Sequence, residues 1–448
     1  MRFLDLFAGM GGFHRALNDL GHECVFASES DEELRDLYVR NFRGARKLIH
    51  GDIRNAKNKV PKHDILCAGF PCQPFSKSGY QNGRRDRTRG TLFHEIIEIL
   101  KKHEPRYVIL ENVGNFERHN NGRTWKIVRE SLVDLGYDVR GTTHVATGGH
   151  GLISPHHFGY PHTRERFFIV ASLDNLRDDP FPARNGHKTT LNSIVEANRD
   201  LTARHREETA LTKQQIDCID HWNKLLRRIP SKLELPSFPI WGDEIDARYP
   251  FLLRTPHATP LHELRKLIES NGHTSDWKKH QLLGLLPNYA RESESQFPDW
   301  KIAFIRQNRD WFSAIKSYFP SQWVSALKAF PPSLRKLEWN CKGEERDLWQ
   351  HVLQFRPSGL RAKRYSSSPA LVAMTTTQIP LLGPKRRFLT RVEGLRLQGF
   401  PDSHRLPESR SSAFAALGNA VHVELVKKIA RSFLEQTRPR ARRGNESR

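Results

Sequence analysis

The N-terminal part of the sequence alternates short apolar runs with stretches of helical periodicity, and this alternation limits the folds open to the chain. The apolar runs end in turns or at acidic residues, and between them apolar residues recur three or four positions apart. Strands that alternate with helices are typical of βαβ units, in which neighbouring strands run parallel. Residues 1 to about 172 therefore predict a doubly wound, Rossmann-like α/β sheet.

The elements of this region can be assigned individually. The predicted strands cover residues 2–7, 24–28, 64–68, 107–110, 137–145 and 167–172, and the predicted helices cover 13–20, 91–103 and 125–135. A later helix has an apolar face made of Val426, Ile429, Ala430, Phe433 and Leu434. Because no helix pattern precedes the first strand, we expect this C-terminal helix to fold back and cover that flank of the sheet.

The middle of the chain differs in character. From about residue 175 to 365, Trp, Pro, Arg and Lys are frequent and no strand–helix period is visible. A chain of 448 residues is too long for one ordinary core, so two or three domains are expected. We predict a catalytic domain at 1–175 that resumes at 369–435, a smaller irregular domain at 176–368, and a basic tail at 436–448.

The charge balance points to a polyanionic partner. A formal net charge of +22 favours nucleic acid first and an anionic membrane surface second. There is no apolar run of about 18 residues, so no membrane span is predicted. The five cysteines show neither paired nor metal-ligand spacing, and the N-terminus lacks the layout of a signal peptide. These features favour a reducing cytoplasm.

A glycine-rich turn follows the first strand, in "DLFAGMGGF" (5–13). Gly9, Gly11 and Gly12 permit close approach of a ligand to the backbone, and Glu29 at the end of the second strand is placed to accept hydrogen bonds from ribose hydroxyls. This pattern indicates a nucleoside cofactor, although a plain turn has the same composition. Asp52, in "GDI", suits an adenine amino group and equally suits an exposed surface.

The stretch "GFPCQPFS" (69–76) holds a thiol beyond the end of a strand. Cys72 lies where α/β sheets carry their active sites, and Pro71 and Pro74 restrict the turn around it. Cys67, inside the strand, fits a small buried apolar residue instead. The basic, glycine-containing segment "SKSGYQNGRRDRTRG" that follows is typical of a loop that closes over phosphates.

Two further motifs carry charge. "LENV" places Glu111 at the end of the neighbouring strand, and "TRERF" contains Arg164 and Arg166, which on a strand would share one face. Each motif alone is also compatible with a solvated strand end or an ordinary charged turn.

Taken together, FAGMGGF, GFPCQPFS, ENV, TRERF, RLQGFPD and GNAV, in this order, resemble the motifs of DNA (cytosine-carbon-5) methyltransferases of the bacterial restriction-modification type. The resemblance covers roughly residues 1–172 and 370–435, and the irregular middle lies where that family carries its variable target recognition domain. It implies a sheet that binds S-adenosyl-L-methionine and methylation of cytosine in double-stranded DNA. One departure is His162, which stands where the family commonly has glutamine and affects local hydrogen bonding.

The resemblance also implies roles for individual residues. Cys72 would add to carbon 6 of a flipped-out cytosine, Glu111 would hold or protonate ring nitrogen 3, and Arg166, supported by Arg164, would bind the ring oxygen. No metal is required. The residues implied for the cofactor pocket are Phe7, Gly9, Gly11, Gly12, Glu29, Asp52, Ile53, Leu92, Asn419 and Val421.

Duplex DNA is the expected partner, together with a cognate restriction endonuclease, and the chain is expected to be a monomer. Two alternatives stay open: methylation of tRNA, which the long middle region disfavours, and a catalytically inactive DNA-binding relative, against which intact Cys72, Glu111 and Arg166 argue. The residues expected to contact DNA are Ser76, Arg84, Arg85, Arg356, Arg361, Lys363 and Arg364.

Overall fold

The computed structural model describes residues 1–71, 91–176, 179–268, 276–373 and 378–435. These residues form two compact units. The first unit takes its residues from Met1–Glu208, Ser366–Thr376 and Leu389–Arg448, and the second unit from Thr209–Tyr365 and Thr377–Phe388.

The elements are numbered in chain order. The strands are β1 (Arg2–Leu6), β2 (Glu23–Ser28), β3 (Ile49–His50), β4 (Ile65–Gly69), β5 (Tyr107–Val113), β6 (Asp138–Gly141), β7 (His162–Thr163), β8 (Arg166–Ser172), β9 (Ile240–Trp241), β10 (Lys336–Asn340), β11 (Val352–Arg356), β12 (Gly359–Lys363), β13 (Ser368–Pro369), β14 (Leu381–Leu382) and β15 (Arg387–Phe388). The helices are α1 (Gly12–Asn18), α2 (Glu32–Asn41), α3 (Ile53–Ala56), α4 (Leu92–His103), α5 (Arg123–Asp134), α6 (Ala203–Thr209), α7 (Lys213–Arg228), α8 (Leu261–Ile268), α9 (Lys279–Gly284), α10 (Asp299–Ala314), α11 (Ser321–Lys328), α12 (Arg391–Leu397), α13 (Arg410–Asn419) and α14 (Val423–Glu435).

The first unit is built on a seven-stranded sheet in the order β3-β2-β1-β4-β5-β8-β6. The strands from β3 to β5 pair in parallel, and β8 runs antiparallel to both of its neighbours. The central strands β1, β4, β5 and β8 are buried over most of their length, as continuous apolar strands covered on both faces should be. This arrangement confirms the predicted doubly wound α/β class.

Two strand predictions need correction. The strand predicted at 137–145 ends at Gly141, because the chain turns back on itself and the amide of Gly151 donates to the carbonyl of Thr143. The strand predicted to end at Glu111 continues for two more residues, because Val113 still pairs with Arg166 of β8.

The C-terminal helix α14 packs against α1, beside the first strand. Lys427 on α14 forms an ion pair of 2.6 Å with Asp19, and the ring of Phe433 meets Tyr107 edge-on at 5.6 Å. Helix α14 therefore packs on the flank of the sheet beside β1, which is the position predicted for it from the sequence.

The second unit contains a six-stranded mixed sheet in the order β15-β14-β11-β12-β10-β9. Only β10 and β12 pair in parallel within it, which agrees with the absence of a βαβ period in this part of the sequence. The unit boundaries differ from the predicted limits of 176–368. Residues 179–208 lie in the first unit, where Glu208 pairs with Arg391, and β14 and β15 complete the sheet of the second.

Candidate active site

The predicted cofactor residues begin where β1 ends. Because β1, β2, β4 and β5 are parallel, their carboxyl ends meet at one edge of the sheet. The Phe7–Gly12 turn, Glu29 and Glu111 all lie at this edge. The same edge includes Gly69, whose neighbour across the pairing of β4 and β5 is Glu111.

The glycine turn is held in a conformation that other residues adopt rarely. Phe7, Gly9 and Gly11 have φ angles of 57°, 53° and 82°. A side chain at Gly11 would collide with the ring of Phe42, whose nearest atom is 2.2 Å from an ideal Cβ position. At Gly9, no atom lies within 4 Å of that position. The backbone at Gly9 is therefore open to a ligand, whereas Gly11 is required for packing.

Glu29 is fixed by backbone donors on both of its carboxylate oxygens. The amide of Gly9 donates to Oε2 at 2.9 Å, and the amide of Asp31 donates to Oε1 at 3.0 Å. A carboxylate oxygen has the lone pairs to accept more than one hydrogen bond, so this anchoring leaves acceptor capacity for hydroxyl groups.

Asp52 has a protein partner that the sequence did not predict. It caps α3 by accepting from the amide of Arg54 at 2.9 Å, and it also pairs with the Arg54 guanidinium. These hydrogen bonds lower the pKa of Asp52, so the carboxylate stays ionised. Ile53 is buried in the core, and Leu92 packs against the same apolar cluster.

Val421 brings the C-terminal part of the chain to the glycine turn. Its Cγ2 lies 2.5 Å from an ideal Cβ position on Gly12, and its Cγ1 lies 3.8 Å from that of Gly69. Asn419, the last residue of α13, is exposed. The chain segment around Val421 thus closes over the ends of β1 and β4.

The contact between Gly12 and Val421 leads to a first prediction. Gly12→Ala should lower the affinity for S-adenosyl-L-methionine by about tenfold or more, because Val421 must move when a methyl group is added; overpacking of this kind costs about 1–3 kcal/mol. Cofactor titration by calorimetry measures the effect. Gly284→Ala is the matched control, since nothing lies within 4 Å of its ideal Cβ. Equal affinities in the two variants would contradict the prediction.

Glu111 and Arg166 form an ion pair at this edge. Arg166 Nε lies 2.9 Å from Glu111 Oε1, and the two side chains are only 18% and 12% exposed. Arg166 also donates through Nη1 to the carbonyl of Glu165 at 2.9 Å. The pair presents a carboxylate and a guanidinium side by side, which is a donor–acceptor set suited to a planar polar ring.

Arg164 has a different position from the one predicted. It does not share a strand face with Arg166, because residues 164 and 165 lie between β7 and β8. Its buried guanidinium donates to the carbonyls of Ala420 at 3.0 Å and Leu371 at 3.4 Å. Burial, with repulsion from Arg166, lowers its pKa to about 9. Arg164 therefore joins two C-terminal segments to the strand that carries Arg166.

Two buried residues near this pair were missed as site residues. Asn112, within the ENV motif, donates from Nδ2 to the carbonyl of Phe70 at 2.8 Å and so fixes the exit of β4 beside Glu111. His162 is buried and its ring lies 6.1 Å from that of His422. Two features of the sequence could have identified these residues as part of the site. Asn112 is next to Glu111, and His162 departs from the family pattern.

Several predicted residues lie outside the described part of the chain. They are Cys72, Ser76, Arg84 and Arg85. The chain is described up to Pro71, directly after the buried Phe70 whose carbonyl Asn112 holds.

The other predicted DNA contacts are in the second unit and already have protein partners. Arg356 and Arg361 both pair with Glu338, at 3.5 and 2.5 Å. Arg364 pairs with Glu344 at 2.9 Å, and Lys363 is the last residue of β12.

Neither a membrane-spanning helix nor a metal-binding cluster occurs among the residues that the structure describes. None of the helices there combines the length and apolar character that a bilayer crossing needs. Nor do these residues contain a group of three or more His, Cys, Asp or Glu side chains that could hold a metal ion.

Comparison with known proteins identifies the family. The profile of the C-5 cytosine-specific DNA methylases matches residues 1–435. The type II methyltransferase M.AluI of Cellulosimicrobium cellulans is 32% identical over 97% of this chain and 92% of its own. M.HgiCI of Herpetosiphon aurantiacus is 30% identical over 96% of both chains, and M.HhaI of Haemophilus parahaemolyticus is 36% identical over 48% of this chain and 64% of its own. The chain belongs to the C-5 cytosine-specific DNA methylase family.

Proposed function

We propose that this S-adenosyl-L-methionine-dependent DNA (cytosine-5-)-methyltransferase methylates a flipped-out cytosine in a specific duplex sequence through a covalent adduct with Cys72. The observation that carries the proposal is the Glu111–Arg166 pair, at 2.9 Å, next to the strand that leads to Cys72. A thiolate, a carboxyl group and a guanidinium are the groups that this chemistry needs, and the last two lie together at one sheet edge as Glu111 and Arg166.

The chemistry explains why each group is present. Carbon 5 of cytosine is a poor nucleophile, and addition of the Cys72 thiolate to carbon 6 makes the ring an enamine whose carbon 5 is nucleophilic. Glu111 holds or protonates ring nitrogen 3, and Arg166 binds the ring oxygen, so both stabilise charge that develops during the addition. After methylation a base removes the proton from carbon 5, and the thiolate leaves as the aromatic ring is restored.

The cofactor, when bound, supplies an electrophilic methyl group. The open backbone at Gly9 and the fixed carboxylate of Glu29 fit a ribose, and Val421 and Phe7 are the apolar neighbours proposed to enclose it. Asp52 and Ile53 are proposed for the adenine, where the carboxylate would exchange part of its bonding with Arg54. Leu92 and Asn419 complete the proposed pocket.

Target selection is assigned to the second unit, which contains most of the predicted 176–368 region. Flipping a base out of the stack costs a few kcal/mol, which contacts from this region and from the basic loop after Ser76 would offset. Phosphate contacts would supply affinity and base contacts specificity. We further propose a monomer in the bacterial cytoplasm that protects DNA from a cognate restriction endonuclease, because the relatives compared above carry the type II name.

The proposal predicts methyl transfer to duplex DNA and none to tRNA. Purified protein is incubated with tritiated S-adenosyl-L-methionine and each nucleic acid in parallel. Bisulfite sequencing of DNA from expressing cells then identifies the site, and we expect one short sequence to be methylated almost completely. Label entering tRNA instead would support the alternative substrate, and label entering neither would support an inactive DNA-binding protein.

A further inference from the structure

One face of the sheet in the second unit is polar and basic. Along β10, β11 and β12 apolar and polar residues alternate, with the buried Val352 as the exception on the polar face. The apolar face consists of Leu337, Trp339, Leu353, Phe355, Leu360 and Ala362, all buried. The opposite face carries Lys336, Glu338, Gln354, Arg356, Arg361 and Lys363. With four cations and one anion, that face is complementary to a polyanion.

Glu338 is at the centre of this face and organises two arginines. It lies opposite Arg361 in the parallel pairing of β10 and β12. Arg361 donates through Nε to Oε2 at 2.5 Å, while Arg356 Nη1 and Ser358 Oγ approach Oε1 at 3.5 and 3.2 Å. The glutamate side chain is 12% exposed, and those of Arg356 and Arg361 are 27% and 28% exposed.

The backbone of the hairpin that carries Arg356 is sterically restricted. Strands β11 and β12 are joined by the two-residue turn Pro357–Ser358, and Gly359 follows with a φ of 134°. An ideal Cβ on Gly359 would lie 2.7 Å from Cβ of Lys336. Proline at the turn and the close approach at Gly359 both restrict the hairpin that carries Arg356.

This geometry suits a base edge better than a phosphate. A buried carboxylate weakens the attraction of the cluster for phosphate, because it cancels one of the two positive charges and repels the anion. It also orients the guanidiniums, which matters when two N–H donors must meet the O6 and N7 acceptors of guanine together. Arg361 uses only Nε for Glu338, and both of its terminal nitrogens are without a hydrogen bond to the protein within the described residues.

We infer that Arg361, oriented by Glu338, reads a guanine in the DNA target. The inference rests on the proposed function and assigns one base of the recognition sequence to one side chain. Arg356 and Ser358 contact the same carboxylate and act as positioning residues for it. Gln354, the other polar neighbour of Arg361, donates from Nε2 to the carbonyl of Gln378, so that nitrogen already has a partner.

The test compares methylation of the cognate duplex with methylation of duplexes in which each base pair is changed in turn. In Arg361→Ala and in Arg361→Lys, which keeps the charge, discrimination at one G·C pair should fall by about 5- to 150-fold, whereas discrimination at the other positions persists. Glu338→Gln should relax the same position to a smaller extent. Lys213→Ala, which removes an exposed cation of α7 in the same unit, is the control and should leave every preference unchanged.

The outcomes separate this inference from the proposed function. Wild-type protein that methylates no duplex contradicts the proposed function itself. Wild-type activity combined with unchanged base preference in both Arg361 variants contradicts only the assignment of Arg361. A flatter salt dependence of binding without a change in preference would identify Arg361 as a phosphate contact and likewise overturn the inference. Arg361→Lys retains the charge and the aliphatic stem, so its result remains readable if Arg361→Ala is poorly folded.

Discussion

Replacement of Cys72 by serine is expected to abolish methyl transfer while binding of cofactor and DNA persists. A hydroxyl is a far weaker nucleophile than a thiolate, so addition to carbon 6 stops although the substitution changes only one side-chain atom. We expect activity to fall by several orders of magnitude in a tritiated methyl transfer assay. Gel-shift and calorimetric titrations should give dissociation constants within a few-fold of the wild-type values.

A duplex with 5-fluorocytosine at the target position tests the covalent step directly. The fluorine on carbon 5 cannot leave as a cation, so the reaction should stop after methylation with protein and DNA still joined. The adduct should require S-adenosyl-L-methionine, survive denaturing electrophoresis and map to the peptide that contains Cys72. A robust adduct in Cys72→Ser, or normal methylation by that variant, would assign the nucleophile to another residue.

Cys67→Ser is the matched control for this experiment. Cys67 is fully buried in β4, where burial raises the pKa of its thiol well above the usual value and keeps it protonated. The variant should still form the adduct, although placing a hydroxyl in an apolar strand lowers its stability. Loss of the adduct in Cys67→Ser with a preserved fold would contradict the assignment of Cys67 to structure.

The parts of the fold that the sequence predicts are those set by local pattern. Strand β1, the glycine turn and α1 follow one another within 18 residues, and their apolar periodicity and glycines determine them directly. The position of α14 followed from a simple requirement, because the flank of β1 has to be covered by some element of the chain.

Contacts between distant segments could not be predicted from the sequence. Arg164 belongs to a motif that suggests a strand, yet it is buried against carbonyls 207 and 256 residues away in the chain. The sheet of the second unit pairs β10 with β12 and adds β14 and β15 from after residue 377, so no continuous stretch reveals it. The sequence predicts Arg356 and Arg361 as DNA contacts from their charge alone, whereas the bonds that both form to Glu338 depend on strand register.

The second large effect expected is a loss of stability in mild acid, caused by buried histidines in the first unit, among them His14, His63, His404 and His422. Burial is the main cause that lowers the pKa of His14, His63 and His404 to about 4 and that of His422 to about 3. Each folded histidine thus stays neutral while the unfolded chain takes up a proton near pH 6.5. The contribution of these neutral histidines to the free energy of unfolding is complete above that pH. It is lost as the pH falls towards the pKa values of the folded state.

The size of this effect follows from the number of protons. At pH 5 each histidine lowers the free energy of unfolding by about 2 kcal/mol relative to neutral pH, and the four together by about 8 kcal/mol. That sum is comparable to the whole stability of a typical domain. Asp5 acts in the opposite direction, because burial raises its pKa and the folded state then keeps its proton as the unfolded carboxyl ionises. One carboxyl group offsets only part of the loss from four histidines.

We therefore expect the melting temperature of the first unit to fall by about 10–20 °C between pH 7.5 and pH 5.5, as measured by calorimetry. His404→Gln should reduce the number of protons taken up on unfolding by about one, because it removes the titrating ring that bonds to the carbonyl of Met10. Val145→Ala is the control, since this first-unit side chain is 62% exposed and carries no titrating group, so its truncation should leave the pH dependence unchanged. A melting temperature that stays constant over this range would mean that the buried histidines accept protons in the folded state, in which case their burial carries no linkage to folding.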